Sequence, residues 1–190
     1  MQKRLIASKV AGTVDRVSIA ARVMLWDKGN TAGIAPNGTS VRALIARTDD
    51  HTDLLDAGAQ VRGYASDITR TWSGGDAGFT DLVAAMDALQ QRLCAGIVPG
   101  RDYRDVHLEA HREIGALLHS AGVIHCDAET SVAERVTSVF FPHGIGHLLG
   151  LQVHDVAGLA ADSTGTREIP RPDGHPYLRL TRTLEPGFVV

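Results

Sequence analysis

Two stretches of the chain carry apolar residues at three- and four-residue steps. Phe79, Leu82, Val83, Met86, Leu89 and Leu93 form the first stripe, the spacing of an amphipathic helix with one face turned to a core. It ends before Gly96, and Pro99-Gly100 marks a turn. Tyr103, Val106, Ala110, Ile114, Leu117 and Leu118 form a second stripe that stops near Gly122, and a shorter helix is expected at Ser131–Val136. Ahead of the helices the pattern differs. Leu54-Leu55-Asp56-Ala57-Gly58-Ala59 and Tyr64-Ala65-Ser66-Asp67-Ile68-Thr69-Arg70-Thr71-Trp72 flank Gly63. The second run is rich in Thr, Ile and aromatics, so the two read as a β-hairpin with Gly63 in its turn. Further upstream, Gly33, Pro36, Asn37 and Gly38 are loop-like, and Val41–Ala46 is apolar. A strand or helix is expected around Val17–Trp26 and a strand at Tyr177–Leu184, with Pro-, Gly- and Thr-rich loops before it.

Composition narrows the function classes. With 44% apolar and 22% charged residues over 190 positions, there is enough apolar surface to offset the entropy of ordering a core. A net charge of -3 gives no electrostatic footprint for nucleic acid. No run approaches the ~18 apolar residues of a membrane span. Lys3, Arg4 and Lys9 resemble the start of a leader, but Asp15, Arg16 and Arg22 interrupt any secretory apolar run. Cys94 and Cys126 make no disulfide framework and are expected to be buried thiols in a reducing, cytoplasmic setting. Of nine histidines, four fall between 143 and 175, and histidine is the commonest side chain for metal ligation and for acid–base work near neutrality.

Two constellations carry candidate chemistry. If the hairpin loop is centred on Gln60–Gly63, facing residues have numbers that sum to 123, which sets Asp56 directly opposite Asp67. Like charges so placed destabilise a hairpin, so Arg62, Arg70 or a metal must offset them, unless both acids are simply solvated. Bridging carboxylates are what a two-metal centre uses. The second constellation is His143-Gly-Ile-Gly-His147-Leu-Leu-Gly-Leu-Gln-Val-His154-Asp155. Gly144 and Gly146 oppose a helix there and would let the backbone approach a substrate or metal closely. Mixed imidazole and carboxylate donors bias a site toward cations such as Mn2+. His107-Leu-Glu-Ala-His111 superficially resembles a zinc-protease helix, but Glu109 falls off the common face of the two histidines. The pair is expected on a solvated helix surface.

These residues support a resemblance. LLDAGAQVRGYASDITRTW, FFPHGIGHLLGLQVHDVAG and YLRLTRTLEPG are similar to the catalytic domain of bacterial Xaa-Pro dipeptidases (prolidases), of the creatinase/methionine-aminopeptidase metallopeptidases. The resemblance runs from about Asn30 to Val190 and leaves residues 1–29 unassigned. It implies an α/β (α+β) class and a pita-bread, creatinase-like catalytic domain over 30–190, incomplete at the C-terminus. It also implies two divalent metal ions, Mn2+ by expectation. Asp56, Asp67 and His147 match metal ligands, with Asp67 bridging both ions. His143 and His154 match non-ligand histidines that contact substrate and stabilise the tetrahedral intermediate. Arg179 matches the arginine that pairs with the free carboxylate of a C-terminal proline, a task suited to its planar fork.

The implied activity is hydrolysis of Xaa-Pro dipeptides, with a small peptide as partner, no nucleic acid or membrane, and a homodimer as the expected assembly. In the family two glutamates complete the metal site, the first in a strand reading TIEPG. The sequence stops at Val190 ahead of that position, and Glu185 belongs to the preceding LEPG turn. Three of five ligands are then present, so weak Mn2+ affinity and near-inertness of these 190 residues are expected. The rival readings are an aminopeptidase P-like enzyme and a catalytically dead or partner-binding remnant of the creatinase fold.

Overall fold

The computed structural model describes residues 29–34, 40–48, 52–73 and 75–190. The element expected around Val17–Trp26 lies outside them. The described residues fall into two compact units. One comprises those up to Thr80 together with Leu149–Val153; the other comprises Asp81–Leu148 and His154–Val190.

The first unit is an antiparallel sheet of β1 (Gly29–Ile34), β2 (Ser40–Thr48), β3 (Thr52–Val61), β4 (Tyr64–Ala65) and β5 (Ile68–Ser73). β1 pairs β2, β2 pairs β3, and β3 pairs both β4 and β5. Gly33, read from sequence as loop, lies inside β1 and faces Val41. The hairpin forms, but its register differs from the expectation. Val61 faces Tyr64, and facing numbers sum to 125. The turn is therefore the two residues Arg62 and Gly63, with φ of 53° and 90°. Positive φ at both positions is the turn whose twist matches that of paired strands; glycine adopts it without cost, arginine does not.

The second unit is built on all but the first turn of α1 (Ala77–Ala95) and on α2 (Tyr103–Ser120), followed by α3 (Ala128–Ala133) and α4 (Thr137–Phe140). The third helix thus starts earlier than its expected Ser131, because Asp127 caps it by accepting from the Thr130 N–H at 2.8 Å. Asp102 caps α2 through Arg104 N–H and also holds the Arg104 guanidinium at 2.6–3.2 Å. The hydrogen bond from that guanidinium pulls the Asp102 carboxyl below its usual range. Leu89, Leu93, Ala110, Ile114, Leu118 and Ile124 form one core cluster; Tyr103, Val106, Leu178, Leu180 and Leu184 form another, and Ile145 packs against both. Cys94 is exposed on α1 and Cys126 half-buried, against the expectation of two buried thiols. Cys94 follows the buried Leu93 by one residue, which turns it away from the core stripe.

No strand forms at Tyr177–Leu184. Its backbone is shared among separate loops instead of one ladder. Thr181 N–H donates to Gly158 C=O at 2.9 Å, Leu184 N–H to Arg101 C=O at 2.8 Å, and Arg182 C=O accepts from Tyr103 N–H at 3.1 Å. Leu178, Leu180, Thr181 and Leu184 are buried while Arg179 is exposed.

Candidate active site

The candidate residues are divided between the units. In the sheet unit, Asp56 faces Thr69 in the β3–β5 register rather than Asp67. Carried on two positions, the same register sets Gly58 against Asp67, in the break between β4 and β5. The two-residue offset preserves alternation, so positions 56 and 67 remain in the same class. A Cβ on Gly58 would collide with the Ser66 carbonyl, so only glycine permits this close approach beside Asp67. Asp67 itself is exposed. Ala65 N–H donates to Gly150 C=O at 2.8 Å, tying β4 to the 149–153 segment within the same unit.

In the second unit the histidine motif meets the Arg179 segment. His147 and His154 face each other at 4.5 Å between ring centroids and 79° between planes. The Asp155 N–H to Leu148 C=O bond, 3.0 Å, closes the chain there. His147 Nδ1 lies 3.0 Å from Leu148 C=O. A neutral imidazole that donates from Nδ1 keeps its lone pair on Nε2, and this is how a ligating histidine is usually oriented. His143 is exposed and stands 6.3 Å from the Tyr177 ring. The glycines of the motif do approach closely, but to protein. A Cβ on Gly144 would sit 2.7 Å from Leu178 Cα, and one on Gly158 would collide with the Arg179 carbonyl. Arg171 Nε donates to Leu178 C=O at 2.6 Å, so the backbone that carries Arg179 is held from three sides. Glu185 is paired with Arg182 at 2.6 Å.

Sequence reasoning missed a second histidine group. His107 and His111 are not on a solvated face; each is 1% exposed. Both pack against half-buried His175, with centroid distances of 4.6 Å for every pair. His107 Nε2 meets His175 Nδ1 at 2.9 Å, and His111 Nδ1 meets Thr137 Oγ1 at 2.9 Å. Burial drives the His107 imidazole down to about 3 and His111 to about 4, aided by neighbouring histidines; burial and the Arg135 charge lower His175. The signal was present. His107 lies four residues after Tyr103 and His111 three before Ile114, the spacing that places both on the buried face of α2.

Residues 28–190 match the sequence pattern of metallopeptidase family M24. The chain belongs to that family. The Xaa-Pro dipeptidase of Stenotrophomonas maltophilia is 56% identical over 138 residues, covering 72% of this chain and 31% of the relative. That of Xanthomonas campestris is 55% identical over 139 residues, with the same coverage. A variant of Escherichia coli aminopeptidase P is similar in structure, with a TM-score of 0.57 and 27% identity over 72% of this chain and 28% of that one. The zinc-substituted form of that enzyme in complex with product has a TM-score of 0.53 and 28% identity, over 63% and 27%. The chain therefore has the pita-bread fold class of the M24 metallopeptidases and spans about a third of the length of the curated relatives it matches. Among the described residues no helix is long and apolar enough to cross a membrane.

Proposed function

We propose that this M24 chain carries catalytic side chains of a metal-dependent Xaa-Pro dipeptidase, within a partial domain over residues 30–190. The observation that carries the proposal is the paired His147–His154 arrangement, with His147 Nδ1 on the Leu148 carbonyl, in a chain 56% identical over 138 residues to an Xaa-Pro dipeptidase. Asp56, Asp67 and His147 are the residues that would hold the divalent metal. The donor set fits: two carboxylates with one imidazole favour a borderline-to-hard divalent cation, and Mn2+ is the proposed metal. When bound, such ions lower the pKa of a water and polarise the scissile carbonyl.

The remaining roles fall to side chains of the second unit. His154, beside His147, donates to the oxygen that gains charge as the peptide carbonyl is attacked. His143, exposed near Tyr177, positions the substrate. Arg179 pairs its guanidinium with the free carboxylate of the proline residue, and burial of Leu178 and Leu180 on either side fixes its backbone. Two thiols outside any disulfide suit the proposed cytoplasmic setting, and a homodimer is the proposed assembly.

The test is Mn2+-dependent hydrolysis of Xaa-Pro dipeptides by the purified chain extended with a family-like C-terminal segment that carries both glutamates, compared with longer peptides that begin Xaa-Pro; the 190 residues alone should be nearly inert. Dipeptide preference with loss of turnover in Asp67→Ala supports the proposal. Arg179→Ala should then raise KM far more than it lowers kcat. Preference for longer peptides would favour the aminopeptidase P reading suggested by the structural neighbours. Absence of both hydrolysis and Mn2+ uptake would favour the non-catalytic remnant.

A further inference from the structure

The histidines of α2 are not used by the proposed peptidase chemistry, yet they are arranged as ligands are. We propose that His107, His111 and His175 form a transition-metal site, best suited to Zn2+, that shares no residue with the proposed dipeptidase centre and staples the Arg179 segment to α2.

One ring nitrogen from each of the three lies within 4.8 Å of the others. Three nitrogens around a tetrahedral Zn2+ at ~2.05 Å would be about 3.3 Å apart. Ring rotations within one packed cluster close that gap. His107 and His111 are four residues apart on one helical face, so α2 itself sets two of the ligands. The third comes from the turn at Asp173–Gly174, where His175 N–H donates to Pro172 C=O at 3.1 Å. His107 Nδ1 and His111 Nε2 are buried without a hydrogen-bond partner in the protein. A buried polar nitrogen left so is costly, and coordination would remove the cost at His111 directly. There the opposite nitrogen, Nδ1, already meets Thr137 Oγ1, the outer contact that orients ligating imidazoles.

Chemistry selects the ion. Three neutral imidazoles with no carboxylate among them suit Zn2+, Cu2+ or Ni2+ rather than Mn2+. Glu109, the acid that a zinc-protease helix would aim at the metal, is paired with Arg101 instead, so the site lacks a general base and is structural. Its effect is positional. His175 lies four residues before Arg179, and Leu178 and Leu180 are already buried against Tyr103 and Val106 of α2. A bound ion would fix the start of that segment as firmly as its apolar side chains fix the end.

The experiment separates the two centres by working in an Asp67→Asn background, which weakens the proposed Mn2+ site. Zn2+ is titrated against a chromogenic chelator, and Co2+ is titrated in parallel by visible absorption. The expected result is one equivalent of Zn2+ bound in Asp67→Asn, with tetrahedral Co2+ bands and no thiolate charge-transfer band. His175→Gln should abolish that equivalent, and circular dichroism checks that its fold is kept. Thr137→Val leaves all three ligands in place and should weaken binding roughly tenfold through the lost outer contact. A thiolate band would move the metal to Cys94 or Cys126 and overturn the proposal. So would unchanged Zn2+ uptake in His175→Gln, or no uptake in Asp67→Asn at millimolar Zn2+.

Discussion

Two groups of three histidines occupy the same unit and could hardly differ more in setting. His143, His147 and His154 lie in a coil segment, exposed or half-buried, with glycines between them. His107, His111 and His175 are packed ring against ring, two of them at 1% exposure, on a helix and the turn that meets it. The first group is accessible to a peptide and is held by close backbone contacts to its neighbours. The second is inaccessible to a peptide and is itself part of what holds the fold. Local exposure, not residue type, separates a histidine suited to turnover from one suited to structure.

The widest separation should appear in paired substitutions. In the chain extended to carry both glutamates, His154→Ala is expected to lower kcat toward Xaa-Pro dipeptides by ~10²–10³-fold while leaving the thermal midpoint unchanged, because the side chain is exposed. His111→Ala should do the reverse. It opens a cavity and strands the Thr137 hydroxyl, a loss of about 2–3 kcal/mol by urea denaturation. If His111→Ala acted on kcat alone, or His154→Ala on stability alone, the division would fail.

Acid sharpens the same contrast. Both buried rings titrate in the folded chain well below the ordinary histidine value, His107 at about 3 and His111 at about 4. The unfolded chain therefore takes up their protons first. Their contribution to stability is complete above pH ~6.5 and declines as pH falls from there through 4. Urea unfolding with chelator present, from pH 7 to 4, should show that decline, and His107→Phe should flatten it. A flat profile in the unsubstituted chain would mean that the rings are solvated.

The smallest effect belongs to a residue outside both groups. Asp102→Ala removes the α2 cap and its hold on Arg104 and should cost about 1 kcal/mol, with no change in KM.

What the sequence revealed depended on whether local pattern or distant partners decided the outcome. α1 and α2 were legible because Leu89, Leu93, Val106 and Ile114 recur at helical spacing and their burial is one-sided. The exposed histidines were legible because glycines punctuate them. The hairpin was legible as a hairpin, but its register hung on arginine accepting φ of 53°, which no propensity favours. The buried histidines escaped because a pair four apart suits a solvated face as well as a core. What decides between them is His175, far along the chain, and Thr137 on a helix too short to predict. Residues 177–184 alternate as a strand would, yet their hydrogen bonds go to Gly158, Arg101 and Tyr103, partners that alternation cannot name.

Those last bonds bear on the order in which the molecule assembles. Asp102 bridges to Thr183, Tyr103 N–H reaches Arg182, and Gly100 N–H reaches Leu184 at 2.8 Å, so the entry to α2 is clamped by chain roughly 80 residues downstream, a closure whose entropy must be met before its contacts reward it. The α1–α2 pairing is local and can form early; the clamp closes late. Amide protons of Gly100, Tyr103 and Leu184 should accordingly exchange together, as one cooperative opening that leaves the middle of α2 protected. Release of that clamp frees the arginine-bearing segment while most of the helical core persists, which opens 178–184 to a protease without global unfolding.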